Sequence, residues 1–407
     1  MTEPATLASM KHDAKARVEA ARDQLLDLSH RIHADPELGY EEEHASAWLC
    51  EALEAGGLQV ERGTSGLPTA FAARAGSGPL HLAICAEYDA LPEIGHACGH
   101  NVIAAAALGA GLALAPIADD AGISLRVLGT PAEEGGGGKI VMLEAGAFDG
   151  VHAAMMVHPA PFEMLEFPVI AATSFDIRYT GKAAHSSAFP ELGINAADAF
   201  VVAQTAIGLL REHIRGTDRI HGIVTKGGDA PNVVPEDATG QWMARSTTLA
   251  ELEDLVPKVL RCFEAGAIAT GATLDITRYP PYAEMRHDLG LLERYRANAE
   301  ALGRLFPDLG EAAKRASAST DMGNVSLRFP SIHPMLGIDG QGAVNHQPEF
   351  AAACAAASAD EAVIAGAVAM AWTAIDAAAD GPLRERLLAS GDGGPSSGGA
   401  AASGRDA

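Results

Sequence analysis

The sequence predicts an α/β layered domain that is interrupted by a smaller α+β domain, and three observations lead to this prediction. Short apolar segments alternate with amphipathic segments, which is the pattern of strands and helices in a layered α/β domain. Several of the apolar segments are followed by Asp, Glu or His, as expected when a functional site lies beyond the carboxyl ends of the strands. Near residue 169 the pattern changes, and near residue 286 it returns.

The first part of the chain provides elements of the layered domain. Residues 12–34 and 43–56 carry apolar side chains at helical spacing, and both segments are predicted to be helices. The Ala-rich segment 101–116 predicts a buried helix that ends at a proline. The predicted strands are 81–85, 124–129 and 152–157.

The middle of the chain reads as a different kind of domain. Its strands show partial period-two patterning, and they are interrupted by two helical segments. Two helices among four strands indicate a compact α+β domain inserted into the first domain. The strands are predicted at 169–180, 220–225, 238–245 and 273–278, and the helices at 195–214 and 249–270.

These patterns set the predicted domain boundaries. Segments 1–168 and 286–388, which include a predicted helix at 360–379, form one discontinuous domain, and 169–285 forms the inserted domain. Residues 389–407 are of low complexity, rich in Gly, Ser and Ala, and are predicted to be disordered.

Composition excludes several classes of partner. A formal net charge of −24 disfavours nucleic acid and anionic membrane surfaces. No run of about 18 uninterrupted apolar residues is present, so no membrane span is expected, and residues 1–15 lack the apolar core of a signal peptide. The 5 cysteines are widely spaced and odd in number, which argues against a disulfide framework and favours the cytoplasm.

The densest chemical signal is the segment Gly-His-Ala-Cys-Gly-His-Asn at residues 95–101. It places Cys98 and His100 two residues apart, next to the start of a predicted helix. Thiolate and imidazole are ligands that suit zinc and its neighbours in the transition series. The alternative for this segment alone is a glycine-rich turn with incidental histidines.

A second signal is the pair Glu133-Glu134, which follows a predicted strand and precedes four glycines. Adjacent side chains on an extended chain point in opposite directions, so one carboxylate could bind a metal while the other faces a reacting water. The alternative is a solvated acidic turn.

Two further histidines are weak signals when each is taken alone. His158 ends an apolar strand and His346 lies in Asn-His-Gln-Pro-Glu-Phe, and a lone histidine at such places is more often a core residue. Together with Cys98, His100 and Glu134, they would form a set of five ligands able to hold two ions with a shared bridging group.

The motifs occur in a familiar order: GHACGHN, PAEEGGGG, VHP, AAHSS, PNVVPE, STDMGNVS and NHQPEF. In these motifs the chain resembles the metallopeptidase family that contains carboxypeptidase G and the aminoacylases. The likeness is greatest to its amidohydrolase branch, which includes p-aminobenzoyl-glutamate hydrolase and Xaa-Arg dipeptidase. It covers residues from about 15 to about 380.

The resemblance implies a role for each matching residue. Glu133 corresponds to the general base, and Asp89 to the carboxylate that orients a metal ligand. His185 corresponds to a histidine of the inserted domain that binds the developing oxyanion or the substrate carboxylate, and Asn232 and Arg245 to residues that hold that carboxylate. The implied metal ligands are Cys98, His100, Glu134, His158 and His346, with Cys98 as a possible thiolate bridge.

The implied fold is a mixed-sheet catalytic domain of the two-metal exopeptidase type with an inserted α+β, ferredoxin-like domain that serves as lid and dimerisation domain. The implied cofactors are two divalent ions, Zn²⁺ or Mn²⁺, with Co²⁺ or Ni²⁺ also compatible with the ligands. The implied partners are a small-molecule substrate and a second copy of the chain.

Two positions depart from relatives. Asn101 stands where many members of this branch have Asp, which leaves the charge around the ligands undecided. Glu87-Tyr88-Asp89 stands where peptidase relatives have His-x-Asp, so one histidine ligand is replaced.

The sequence therefore predicts an amidohydrolase that cleaves a dipeptide or N-acyl amino acid bearing a free carboxylate. The alternatives are hydrolysis of a non-peptide C–N bond at the same site, a metal-binding protein without catalysis, and a structural zinc protein. The absence of a closely spaced CxxC pair argues against the last.

Overall fold

The structure is a computed structural model that describes residues 6–310 and 317–391, and these residues divide into two compact units. Unit 1 contains the described parts of Met1–Phe167, Arg286–Lys314 and Val325–Ala407. Unit 2 contains Pro168–Met285 and the described part of Arg315–Asn324, so it includes a second segment that the predicted bounds 169–285 leave out. The roles of lid and dimerisation domain stay predictions.

The described residues form thirteen α-helices and twelve strands, numbered here in chain order, together with four short 3-10 helices. The helices are α1 Leu7–Ala20, α2 Arg22–Ala34, α3 Glu43–Ala55, α4 His100–Leu114, α5 Ala118–Ala121, α6 Gly138–Glu144, α7 Ala196–Leu210, α8 Leu249–Thr270, α9 Leu289–Ala301, α10 Met322–Ser326, α11 Pro348–Ala353, α12 Ala357–Ala379 and α13 Gly381–Gly391. The strands are β1 Gln59–Arg62, β2 Phe71–Ala75, β3 Leu80–Ala86, β4 Ile123–Gly129, β5 Ala153–Met155, β6 His158–Ala160, β7 Ala171–Thr180, β8 Arg219–Lys226, β9 Asp237–Ser246, β10 Thr273–Arg278, β11 Ser331–Ile332 and β12 Met335–Gly337.

Unit 1 is built on a six-stranded mixed sheet in the order β1-β2-β4-β3-β5-β11. Strands β4, β3, β5 and β11 run parallel, whereas β1 and β2 are antiparallel additions at one edge. A separate parallel pair, β6 and β12, carries His158 at its start, opposite Met335. The mixed-sheet α/β prediction is therefore confirmed, and the carboxyl ends of β3 and β4 lead directly into Asp89 and the Glu133-Glu134 turn.

The core of unit 1 is centred on α4 and α12, which are rich in Ala and Gly and almost wholly buried. Small side chains let the two helices approach closely: a Cβ added at Gly109 would lie 2.8 Å from the Cβ of Ala367. Two segments, His100–Ala121 and Ala357–Ala379, are long and apolar enough to cross a membrane. In the most apolar 18-residue stretch of each segment, 83% and 78% of the residues, respectively, are buried within the protein, as in core helices.

Unit 2 has the element order β-α-β-β-α-β and an antiparallel sheet in the order β10-β7-β9-β8. This is a ferredoxin-like arrangement. Its two helices pack on one face of the sheet around a cluster of aromatic rings, in which Trp242 lies 5.1 Å from Phe200 and 5.1 Å from Phe263 between ring centroids. The α+β pattern read from 169–285 is thus present in the structure.

Several predicted element bounds were wrong. The helix predicted at 12–34 begins at Leu7 and is broken at Ala21, and the apolar spacing continues across the break, so periodicity could not reveal it. The strand predicted at 152–157 is Ala153–Met155, and a second short strand begins at His158. Strands β1 and β2 and helix α6 were not predicted. Helix α13 continues to Gly391, into the stretch predicted to be disordered, and 392–407 lie outside the described residues.

Candidate metal centre

Gly99 allows Cys98 and His100 to stand on either side of a sharp turn at the start of α4. Its φ of +81° lies in the left-handed region, and an added Cβ would lie 2.4 Å from Cγ of Pro159. Only glycine meets both requirements without displacing the backbone. The turn places Cys98 and His100 in a buried part of unit 1, where they are 8% and 0% exposed.

Asp89 fixes the orientation of His100. Nδ1 of His100 donates a hydrogen bond to Oδ1 of Asp89 at 3.0 Å, and the backbone N–H of Glu134 donates to Oδ2 at 2.9 Å. Burial raises the pKa of Asp89, but the His100 charge and these hydrogen bonds outweigh burial and lower it. Burial lowers the pKa of His100, but the Asp89 carboxylate outweighs burial and raises it well above the ordinary value.

The two adjacent glutamates converge on His100, and the prediction that they point in opposite directions was wrong. Glu133 and Glu134 lie in a turn rather than an extended chain, after Ala132 at a φ of 56°. Nε2 of His100 is 3.8 Å from Oε2 of Glu133 and 3.8 Å from Oε1 of Glu134. Both carboxylates therefore face one small volume.

His158 approaches Cys98 from β6, with Nε2 of His158 at 3.4 Å from Sγ of Cys98. Nδ1 of His158 donates to the Pro159 carbonyl at 2.9 Å, which leaves the lone pair on Nε2. Burial lowers the pKa of His158 to about 4, so the imidazole is neutral at neutral pH. Burial also raises the pKa of the Cys98 thiol well above its ordinary value, and the Glu134 charge adds to this effect.

His346 completes the group from a loop. Its backbone lies in the left-handed region at a φ of 68°, and its N–H donates to the Ala97 carbonyl at 2.9 Å. Nε2 of His346 is 3.5 Å from Oε1 of Glu134, and its side chain is 54% exposed. Burial raises the pKa of Glu134, but His346 and His100 outweigh burial and lower it.

The donor atoms fit divalent ions. Within the described residues, three groups have donor atoms within 4.8 Å of one another: Cys98, His100 and His158; Cys98, Glu134 and His346; Glu87, His100 and Glu133. Cys98 belongs to the first two groups, as a bridging thiolate would. Nε2 of His100 is buried and has no hydrogen-bond partner in the described part of the chain, although burying such an atom costs free energy unless something binds it.

Sequence reasoning missed two buried residues that adjoin this site. Lys139 is 0% exposed and forms a 2.5 Å ion pair with Glu87, whereas nothing in the sequence around Lys139 indicates burial. His333 packs on His158 with ring centroids 5.3 Å apart. The sequence could have indicated His333, because His333-Pro334 repeats the His158-Pro159 pattern and directly precedes β12, the strand that pairs with β6.

Asn101, which stands where many members of the resembling branch have Asp, forms two buried hydrogen bonds. Its amide nitrogen donates to Oγ of Ser29 and to the Cys354 carbonyl, each at 2.9 Å, and the residue is 0% exposed. These bonds tie α4 to α2 and to the end of α11, so the amide serves the packing of unit 1.

Replacing Asn101 by Asp should therefore destabilise the protein. An aspartate cannot donate either hydrogen bond, and it would place a carboxylate against a carbonyl oxygen, at a cost of about 2–4 kcal/mol in the free energy of unfolding. Chemical denaturation followed by circular dichroism measures this change. Asn101→Ala removes the same donors without adding a charge and should be less harmful; equal stability of Asn101→Asp and the unaltered protein would contradict the interpretation.

The three residues predicted to bind substrate lie in unit 2. His185 is exposed and its Nδ1 accepts a hydrogen bond from the Ser187 N–H at 3.3 Å, and the neighbouring Ser186 N–H donates to the Asn232 carbonyl at 3.1 Å. Arg245, on β9, is half-buried, and Nη1 donates to Oγ of Ser319 at 3.1 Å. His185 and Asn232 are thus on adjoining loops, whereas Arg245 is held separately on the sheet.

The comparison with protein families decides the identity. Residues 83–370 match the sequence profile described as Peptidase family M20/M25/M40, which covers more than half of the chain and spans all five predicted ligands. The chain belongs to this family. The resemblance inferred from the motifs is confirmed, and the protein is an M20 metal-dependent hydrolase of the peptidase and amidohydrolase type.

The chain is similar in sequence to individual M20 relatives, to one over most of its length and to another over about two thirds of it. The chain is 39% identical to the Xaa-Arg dipeptidase of Mus musculus, over 91% of this chain and 90% of that protein. It is 33% identical to one of the p-aminobenzoyl-glutamate hydrolase polypeptides of Escherichia coli, over 63% of this chain and 58% of that protein. The fold is similar to that of the Bacillus subtilis YXEP protein, a dinuclear metal-binding M20 peptidase, with a TM-score of 0.65, 21% identity, and coverage of 88% and 98% of the two chains.

Proposed function

We propose that this M20 hydrolase cleaves the amide bond of a dipeptide or N-acyl amino acid that carries a free carboxylate, using water and two divalent ions. The observation that carries the proposal is the pair of donor groups that share Cys98 and adjoin a buried glutamate, Glu133. The proposed ligands are Cys98, His100, Glu134, His158 and His346.

The donor chemistry favours transition-series ions. A thiolate and imidazoles favour Zn²⁺, and the carboxylate oxygen also suits Mn²⁺, with Co²⁺ and Ni²⁺ as further ions that such ligands accept. When bound, two such ions acidify a water and polarise the substrate carbonyl.

Glu133 is the proposed general base. Its side chain is 6% exposed and lies on the same face as the Glu134 carboxylate, so it can take a proton from the attacking water and deliver it to the leaving amine. Asp89 holds His100 in one orientation and, through the Glu134 backbone, also positions the turn that carries the base.

The proposed substrate class rests on two kinds of support. The similar proteins include an Xaa-Arg dipeptidase and a p-aminobenzoyl-glutamate hydrolase, whose names describe cleavage next to an amino acid. Unit 2 offers a guanidinium at Arg245 and an amide at Asn232, the groups that bind carboxylates, and His185 could hydrogen-bond the tetrahedral oxyanion.

Hydrolysis of a panel of dipeptides, N-acyl amino acids and p-aminobenzoyl-glutamate tests this function. Metal-free protein is reconstituted separately with Zn²⁺ and Mn²⁺, and each substrate is also supplied with its carboxylate amidated. We expect metal-dependent release of a free amino acid from the acids and at least tenfold lower kcat/KM for the amides. Equal cleavage of acids and amides would contradict the assigned role of the carboxylate.

We also propose that the protein is a cytoplasmic homodimer that pairs through unit 2. Strand β8 lies at the edge of its sheet and exposes apolar side chains, with Ile223 at 62% and Val224 at 38%, and such an edge can pair with a second strand.

All five cysteines are free and buried, which suits a reducing compartment. Sedimentation and cell fractionation test the two proposals.

A further inference from the structure

The turn that carries Glu133 and Glu134 is held by residues 36–42, a segment between α2 and α3 to which the proposed site assigns no role. Two side chains of this segment, Tyr40 and Glu42, bond to the two ends of the turn. We propose that segment 36–42 positions the general base, and that Tyr40 and Glu42 are positioning residues for the proposed hydrolysis. This inference rests on the proposed function and deepens it.

Glu42 holds the first end of the turn. Its Oε1 accepts a hydrogen bond from the N–H of Ala132 at 2.8 Å, and its Oε2 accepts one from Oγ1 of Thr69 at 2.8 Å. The residue is 0% exposed, and a carboxylate is costly to bury unless hydrogen bonds compensate for the lost water. The buried carboxylate thus serves as an acceptor that fixes the backbone next to Glu133.

Ala132 is the residue on which this hydrogen bond acts, and its backbone is strained. Its φ of 56° lies in the left-handed region, which is unfavourable for a residue with a Cβ. Such a conformation persists only where the surroundings impose it. The bond to Glu42 is one restraint, and close packing is another, because a Cβ added at Gly39 would lie 2.9 Å from Cβ of Ala132. Segment 36–42 thus imposes the conformation that makes the two glutamates converge.

Tyr40 holds the second end of the turn. Its hydroxyl donates to the Gly136 carbonyl at 2.7 Å, and its ring packs so closely that a Cβ added at Gly136 would lie 2.7 Å from Cε2. Tyr40 itself has a φ of 69°, which is rare for a bulky residue, and such strain is concentrated at functional sites. Because the residue is 38% exposed, water could serve its hydroxyl, so burial does not require this bond. The bond instead fixes where the turn lies.

The bonds within the turn define its shape but not its place in the fold. The N–H of Gly136 donates to the Ala132 carbonyl at 3.1 Å, which closes the turn on itself. Segment 36–42 joins this closed turn to the loop that follows β3, where the Ala90 N–H donates to the Glu37 carbonyl at 2.8 Å. The segment therefore links the base to the loop that carries the proposed orienting carboxylate.

The place of the turn matters because a general base acts only within hydrogen-bond reach of the water, at about 2.6–3.2 Å. A displacement of about 1 Å can lower the rate about 100-fold. Release of either end of the turn gives the Glu133 carboxylate freedom to move. Loss of these bonds should therefore lower kcat and leave KM little changed, since the proposed substrate-binding residues are untouched.

Four variants test the inference. Tyr40→Phe removes only the hydroxyl, and Glu42→Leu removes the acceptor while keeping an apolar side chain of similar size. Glu42→Gln is the conservative variant, because its amide oxygen can still accept from the Ala132 N–H. Tyr279→Phe is the control: Tyr279 belongs to unit 2, is also 38% exposed, and its hydroxyl donates to Oδ2 of Asp176 at 2.6 Å.

Each variant is measured in two ways on the full chain. Steady-state kinetics on the best substrate of the panel, at saturating Zn²⁺ or Mn²⁺, gives kcat and KM, and metal content is determined on the same samples. Hydrogen exchange of the metal-free protein, followed by mass spectrometry, reports how firmly residues 132–138 are held. The exchange measurement does not depend on activity.

We expect kcat to fall about 10-fold in Tyr40→Phe and about 100-fold in Glu42→Leu, with KM changed by less than about twofold and metal content unchanged. Exchange at 132–138 should be about 10-fold faster in these two variants. Glu42→Gln and Tyr279→Phe should resemble the unaltered protein in both measurements.

Unaltered kcat in folded Tyr40→Phe, or equal losses in Glu42→Gln and Glu42→Leu, would overturn the inference. Unchanged exchange at 132–138 in Tyr40→Phe and Glu42→Leu would do the same. Absence of turnover by the unaltered protein with every ion would instead overturn the proposed function, and the exchange comparison would still decide whether segment 36–42 holds the turn.

Discussion

The Glu133→Gln variant is expected to keep both ions and to lose about 10²- to 10⁴-fold in kcat. The amide has nearly the shape of the carboxylate, but it cannot accept a proton from water. Glu133 belongs to neither of the donor groups that share Cys98, so metal content should not fall. Steady-state kinetics on the best substrate of the panel, with metal analysis of the same sample, measures both quantities.

Glu134→Gln is the matched control, because it makes the same chemical change one residue away. Glu134 shares a donor group with Cys98 and His346, so this variant should lose the ion at that position as well as activity. The pair of variants separates loss of a base from loss of a metal. Near-normal turnover of Glu133→Gln would refute its assignment as the base.

The Cys98→Ala variant is expected to have the largest effect on metal content. Cys98 belongs to both donor groups proposed to hold ions, so its loss weakens both positions at once. We expect fewer than one ion per chain to remain after dialysis and no measurable metal-dependent turnover. Cys354→Ala makes the same change at another buried, free cysteine and should retain as many ions as the unaltered protein. Two retained ions in Cys98→Ala would exclude the thiolate bridge.

The pH dependence of binding gives a second measurement on the same variant. In the metal-free protein the pKa values of Cys98 and His100 are both raised well above their ordinary values, so both groups are protonated near pH 6–7. An ion must displace these protons, and its apparent affinity should therefore rise with pH, by about tenfold per pH unit for each displaced proton. Cys98→Ala should release one proton fewer, which calorimetry in buffers of different ionisation enthalpy detects.

Much of the site could be predicted because its residues are close in sequence or lie at strand ends. Cys98 and His100 share one motif, and Glu134 and His158 each follow an apolar segment, so the rule that strand ends meet at one edge brought them together. The general base and the orienting Asp89 came from the family resemblance and not from spacing. Their roles stay predictions until the variants are measured.

The features of the site and the fold that were not predicted depend on side-chain and backbone geometry that no local sequence pattern encodes. The sequence predicted that the Glu133 and Glu134 side chains point in opposite directions, but both approach His100. They converge because they lie in a turn that follows Ala132, which adopts a left-handed conformation that propensity does not favour. Burial of Lys139 depends on its distant partner Glu87, and a sequence shows only a charged residue beside glycines. Helix periodicity likewise could not reveal the break at Ala21, since the buried face continues through it.

The contact between α4 and α12 has a consequence for how such a protein can diverge. A Cβ at Gly109 would lie 2.8 Å from Cβ of Ala367 and 2.9 Å from Cδ1 of Leu25, so a larger residue there would push α4 away from α12 and α2. Helix α4 begins at the proposed ligand His100, so a substitution in this contact would also disturb that ligand. Changes that leave this ligand in place would therefore be tolerated more readily away from the contact than within it.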